Sequence, residues 1–152
     1  MKRVDIISDT HGRLSPELMA VIKGADLVVH AGDITSEACW DELVAATKQL
    51  KACKGNNDYY YDYGPEVGKL TTFTYEGLRF AVTHYREELP LKTCDVAVCG
   101  HTHRPFIRRE GRCTVINPGS PTFPRGPEGP TMARLFVEGG RIIKSSIIRL
   151  SR

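Results

Sequence analysis

The chain has 152 residues, 41% hydrophobic and 26% charged, which suits one domain with a buried core and excludes a disordered segment. Its 21 basic and 18 acidic residues leave a net charge of +3, too small to imply a nucleic-acid or membrane partner. No apolar run reaches membrane-spanning length, strand-like sequence begins almost at Met1 with no room for a signal peptide, and Cys39, Cys53, Cys94, Cys99 and Cys113 lack CxxC spacing; the expectation is a cytoplasmic protein with reduced, packed cysteines.

In chain order, Val4 to Ile7 reads as a short buried strand that stops at Asp9-Thr10-His11. Ser15 is placed to cap a helix over Ser15 to Lys23, with Pro16 at its first position. Leu27 to Val29 completes a strand-helix-strand unit and stops at Gly32-Asp33. A second helix is expected over Ser36 to Leu50, where Trp40, Leu43, Val44 and Thr47 share one face, followed by a strand over Leu50 to Cys53 that stops at Gly55-Asn56. From Lys69 the period becomes two, giving hairpins over Leu70 to Tyr75 and Leu78 to Thr83 around Glu76-Gly77, and over Thr131 to Val137 and Arg141 to Leu150 around Gly139-Gly140. Between them, apolar runs stop at Gly100-His101-Thr102-His103 and at Asn117-Pro118-Gly119-Ser120, and Arg104, Arg108, Arg109 and Arg112 surround another hairpin. With no internal repeat or linker, residues 1–152 form one domain of the α/β class, two sheets packed face to face with helices outside.

Six apolar runs thus end at Asp9-Thr10-His11, Gly32-Asp33, Gly55-Asn56, His84, the Gly100 motif and the Asn117 motif. Side chains just past the carboxyl ends of strands converge on one rim of an open sheet, so these distant residues can meet. Together they supply two carboxylates, one amide and four imidazoles, an oxygen and nitrogen set without thiolate that suits two divalent ions such as manganese, iron, cobalt, nickel or zinc. A serine or cysteine nucleophile has no GxSxG setting here, and a P-loop is absent.

The ordered set DxH, GD, GN, H and GHTH over residues 9 to 103 resembles the calcineurin-like metallophosphoesterase superfamily. The small size and the trailing Asn117-Pro118-Gly119-Ser120 are similar to its compact prokaryotic phosphodiesterases. The resemblance implies a four-layer α/β/β/α sandwich of two mixed sheets. It also implies that Asp9, His11, Asp33 and His103 hold one ion and that Asp33, Asn56, His84 and His101 hold the other, with Asp33 bridging. Manganese is the first candidate, with nickel, iron, cobalt and zinc as alternatives. A carboxylate can offer one oxygen to each of two ions about 3.5–4 Å apart, the spacing that two-metal hydrolysis uses. The expected reaction is attack of a bridging hydroxide on a small phosphodiester or activated phosphomonoester, with Asp33, Asn56, His84 and His103 as the catalytic core. Two departures stand out. The third motif is commonly followed by a histidine that can protonate the leaving group, and here Asn57 follows, so good leaving groups are favoured. The fourth motif usually reads His-Gly and here reads His84-Tyr85, which narrows the pocket or stacks on substrate.

Other residues carry simpler readings. His30, inside an apolar strand, is expected to be a hydrogen-bonded core histidine and not a ligand. Asp58 is either an acceptor behind the ligands or a turn former. Tyr59-Tyr60-Tyr61 with Tyr63 forms either an aromatic rim or a packing surface, and the arginines form a solvated face. Gly119, Ser120 and Arg125 can offer an amide, a hydroxyl and a guanidinium to a phosphoryl oxygen, and Asn117 either joins them or stabilises its loop. The alternative function is a non-catalytic scaffold, because the eukaryotic retromer subunit of this fold acts chiefly through protein contacts; loss of ligands would be its signature, and none is lost here. The resemblance also implies a homodimer or higher oligomer.

Overall fold

The computed structural model describes residues 1–151. Strands β1 (Lys2–Ile7), β2 (Leu27–His30), β3 (Leu50–Ala52), β9 (Thr131–Glu138) and β10 (Arg141–Arg149) form one sheet in the order β10-β9-β1-β2-β3. The second sheet has the order β4-β5-β6-β8-β7, from β4 (Leu70–Tyr75), β5 (Leu78–Thr83), β6 (Val96–Val98), β7 (Phe106–Glu110) and β8 (Cys113–Asn117). Each sheet is mixed: β1, β2 and β3 run parallel in the first, β5, β6 and β8 in the second, and antiparallel strands flank them. Every one of the six motifs lies at the carboxyl end of one of these six parallel strands. That is the reason residues from 9 to 120 gather on one rim.

The two sheets bury a common core. Alternation along β1 sends Val4 and Ile6 inward to meet Phe80, Val82, Val96 and Val98 of the other sheet, while Ile7 faces the helices. The final hairpin does not extend the second sheet; β9 pairs antiparallel with β1 and brings Ala133, Leu135 and Val137 into the same core. Both long hairpins turn on pairs with positive φ, Glu76-Gly77 at 50° and 78° and Gly139-Gly140 at 57° and 74°, as two-residue turns between twisted strands require. The turns touch at the end of the sandwich away from the motifs, where the Gly140 N–H donates to the Glu76 carbonyl at 2.9 Å.

Helix α1 (Pro16–Ile22) forms as expected, with the Ser15 hydroxyl accepting from the Leu18 N–H at 3.1 Å. Helix α2 (Glu37–Ala46) is shorter than its expected span. The chain leaves the helix at Thr47, whose hydroxyl donates to the Leu43 carbonyl at 2.7 Å, because Leu50 is needed to open β3. Of the expected apolar face only Leu43 is buried; Val44 is 51% exposed. Leu18, Ile22 and Leu43 cover the outer face of the first sheet. The outer layer on the second sheet is thin: a 3-10 turn at Arg86–Glu88 and a loop that lays Leu89 and Cys94 over Ala81, Ala97 and Val115. The cysteines are free thiols, all buried except half-buried Cys39.

Candidate metal centre

Backbone conformation singles out the rim before any side chain is considered. Among the described residues seven non-glycines have positive φ, and Asp9 (56°), His11 (50°), Asp33 (60°), His101 (73°) and His103 (61°) are five of them. Each such conformation costs an ordinary residue roughly 1–2 kcal/mol, and strain of this kind collects where side chains must be aimed at one point. The loops that carry them are pressed together. A Cβ on Gly55 would lie 2.1 Å from Asp33 Oδ1, and one on Gly100 would lie 2.0 Å from Ser8 Oγ and 2.7 Å from Asp9 Oδ2, so the glycines of the third and fifth motifs are required by close approach.

Two carboxylates and three imidazoles meet there. Asp9 Oδ1 lies 3.3 Å from His103 Nε2 and 3.7 Å from both His11 Nε2 and His84 Nε2. Asp33 Oδ2 lies 3.4 Å from His84 Nε2 and 3.7 Å from His11 Nε2, and the Nε2 atoms of His11 and His103 are 3.3 Å apart. Two compact donor groups result, Asp9-His11-His103 and Asp9-Asp33-His84. Asp9 is common to both, and Asp33 also faces an imidazole of each group.

The surrounding backbone fixes which atoms face inward. His84 Nδ1–H donates to the Ala31 carbonyl at 2.8 Å, and His103 Nδ1–H to the Phe123 carbonyl at 2.6 Å, which leaves each Nε2 lone pair turned to the centre. Asp9 Oδ2 accepts from the Ser8 hydroxyl at 2.7 Å and the His101 N–H at 3.0 Å, leaving Oδ1 bare. Asp9 Oδ1 and His84 Nε2 are the buried side-chain polar atoms left without a hydrogen-bond partner among the described residues, and they face each other. Buried polar atoms are nearly always paired, so this donor set fits a cation.

Charge agrees. Burial by itself would raise the Asp9 carboxyl, but its contacts with His103 and His11, the nearby His84 and the Ser8 hydroxyl together hold it well below the usual carboxylate range. Asp33 is likewise lowered against its burial, by His84 and the Asn57 bonds. The Asp9 contact raises His103, while His84 is raised by Asp33 and Asp9 against its desolvation. Anionic carboxylates and a pocket that favours positive charge are what a divalent cation needs.

A calcineurin-like phosphoesterase superfamily domain matches residues 1–140. The chain belongs to that superfamily. A probable metallophosphoesterase of Methanothermobacter thermautotrophicus is 31% identical over 162 residues, covering 96% of this chain and 91% of the relative. The phosphodiesterase YfcE of Escherichia coli (strain K12) is 28% identical over 153 residues, 83% of each. Vacuolar Protein Sorting 29 of Cryptosporidium parvum superposes with a TM-score of 0.76 at 17% identity, covering 99% of this chain and 98% of that one, a likeness of fold alone.

The other residues expected at the site fall into two sets. His101 is exposed, its ring centroid 5.1 Å from His84 and 4.7 Å from Tyr85, and Asn56 lines a cavity with His84 and Tyr85. Both border the compact groups without belonging to them. Asn57 turns toward Asp33, its N–H donating to Oδ1 at 3.0 Å and its Nδ2 to Oδ2 at 2.9 Å. Ser120, expected to touch substrate, and Asn117, expected either to touch substrate or to stabilise its loop, are both buried and turned to the loops. Asn117 Nδ2 donates to the Gly100 carbonyl and the Thr102 hydroxyl, and the Ser120 hydroxyl donates to the Asp9 carbonyl; each fastens one motif to another. Arg125 is exposed, its N–H on the His103 carbonyl.

His30 is a core histidine as expected, its Nδ1 accepting from the Gly32 N–H at 3.1 Å, which puts the proton on the Nε2 that meets Thr10 Oγ1 at 3.0 Å. Asp58 proves to be far more than a turn former. Fully buried, it accepts from the N–H groups of Asp33 (2.7 Å), Ile34 (3.3 Å), Thr35 (2.8 Å) and Gly55 (2.8 Å), and from the Tyr63 hydroxyl (2.8 Å). Burial and this carboxylate push the Tyr63 phenol above its ordinary range, so it stays a donor. One side chain thereby ties the second motif to the third. Ser8, hidden at the end of an apolar run, gave no signal in the sequence.

Proposed function

We propose that the protein is a metal-dependent phosphodiesterase acting on a small phosphodiester, or on a phosphomonoester with a good leaving group. Asp9, His11, Asp33 and His103 would hold one divalent ion, and Asp33, Asn56, His84 and His101 the other. The observation that carries this reading is the pair of bare, buried, facing atoms Asp9 Oδ1 and His84 Nε2, 3.7 Å apart. Two divalent ions, manganese first among nickel, iron, cobalt and zinc, supply Lewis acidity toward a phosphoryl oxygen and lower the pKa of bound water toward neutrality.

The chain's own residues set the geometry for this. The carbonyls of Ala31 and Phe123 hold His84 and His103 in the tautomer that presents Nε2, and Asn57 clamps both oxygens of Asp33. An amide cannot deliver a proton at neutral pH, so Asn57 offers a leaving group none, and esters of acidic alcohols such as nitrophenols should react fastest.

The test is hydrolysis of a bis-aryl phosphodiester and its monoester by metal-stripped protein titrated with manganese, nickel, cobalt, zinc or magnesium. Diester turnover restored by a transition ion and abolished in Asp33→Ala supports the reading; wild-type activity in Asp33→Ala sinks it. A scaffold without turnover is the second reading, supported by the fold likeness to a vacuolar sorting protein, and it predicts bound metal with no hydrolysis of any diester.

A further inference from the structure

A cavity of about 450 Å³ adjoins the donor cluster, with His84 and Asn56 among its lining residues. Its size falls in the range of small-molecule sites, roughly 300–1,000 Å³. Tyr85 forms part of the wall, with its ring centroid 5.4 Å from that of His84 at an interplanar angle of 77°. Tyr59 and Val67 supply further apolar surface. The tyrosine run therefore divides: Tyr61 and Tyr63 stack on each other, with Tyr63 against Trp40, as packing residues, while Tyr59, 77% exposed, lines the cavity.

Polar groups stand among these apolar walls. Lys54 is already engaged, its Nζ donating to the Tyr61 carbonyl at 2.6 Å and lying over the Tyr63 ring. Glu88, Lys69 and the Asn56 amide line the same space. Glu88 offers an acceptor and Lys69 a charged donor.

Resting on the phosphodiesterase reading above, we infer that this cavity receives the organic substituent of the substrate and that the substituent is a nucleobase. A base has flat faces for tyrosine rings and an edge carrying both donors and acceptors. An alkyl chain would present no flat face to Tyr59 and Tyr85 and no polar edge to the exposed Glu88 and Lys69, whereas a base offers both. The substrate class is then a small nucleoside phosphodiester, its phosphorus at the Asp9, Asp33 and His84 cluster and its base against Tyr59.

The experiment measures binding of adenosine 5′-monophosphate and of methyl phosphate to the manganese-loaded protein by calorimetry, for wild type, Tyr59→Phe and Tyr59→Ala. Tyr59 is exposed enough that truncation leaves the core untouched. The expected result is that the nucleotide binds at least about tenfold tighter than methyl phosphate in wild type and Tyr59→Phe, and that Tyr59→Ala loses about tenfold of that preference, the scale of one base stacked on one ring. Equal affinities in wild type, or a preference undiminished in Tyr59→Ala, overturns the inference. Failure of the catalytic reading would look different: the preference would be present while no metal restored diester hydrolysis.

Discussion

Asp58→Asn tests how the centre is held without touching a proposed ligand. In the native chain Oδ2 accepts from the N–H groups of Asp33, Ile34 and Gly55, and Oδ1 from Thr35 N–H and the Tyr63 hydroxyl. The amide oxygen of Asn can replace one carboxylate oxygen only. Placed toward Asp33 and Gly55, it leaves an NH2 facing the Thr35 N–H, while Tyr63 can rotate its hydroxyl and accept. One orphaned buried donor costs about 1–3 kcal/mol, and the other bonds lose the roughly twofold strength that charge confers. The sum is roughly 3 kcal/mol, against a typical domain stability of about 5–15 kcal/mol. Urea denaturation of metal-free protein should show a lower midpoint at unchanged slope. Asp33 and Gly55 would also be less firmly placed, and manganese affinity measured by calorimetry should fall about 10–100-fold, as for other groups that orient ligands. A variant within about 0.5 kcal/mol of wild type and with native metal affinity would refute the idea that Asp58 organises the centre.

Further outcomes follow from the same geometry. Burial pushes His30 from 6.5 down to about 4, so between those values the unfolded chain takes up a proton that the folded one refuses. The associated stability is whole above pH 6.5 and is lost as pH falls toward 4, by roughly 3 kcal/mol; an imidazole titration followed by NMR with a midpoint near the ordinary value would contradict this. Gly55→Ala puts a Cβ 2.1 Å from Asp33 Oδ1, whereas a Cβ on Gly68 meets nothing within 4 Å. Gly55→Ala should therefore cost about 1–3 kcal/mol or more and weaken metal binding, while Gly68→Ala leaves the melting temperature unchanged or slightly raised. Ser8→Ala removes the hydroxyl that holds Asp9 Oδ2 at 2.7 Å and should weaken manganese binding about tenfold with only a small change in melting temperature; unchanged affinity would mean that the His101 N–H alone orients Asp9.

What could be read from the chain alone is what local rules govern. Ser15 and Pro16 announced α1, the Glu76-Gly77 and Gly139-Gly140 pairs announced their hairpins, and the residues that end the six parallel strands were visible because each is adjacent in sequence to its own strand. Helix α2 was overdrawn because helical periodicity continues past Ala46, and only the pairing of Leu50 with Val28 ends it. The particular partners of Asp58, Asn117 and Ser120 were beyond local reading for the same reason, since they lie in other motifs. Residue type placed four histidines and two aspartates on the rim. Which nitrogen of His84 faces Asp9, and which oxygen of Asp9 stays bare, was decided by the Ala31 carbonyl, 53 residues away, and the His101 N–H, 92 residues away. A side chain carries its chemistry in the sequence, but its orientation and protonation come from neighbours that only the folded sheets bring within hydrogen-bonding reach.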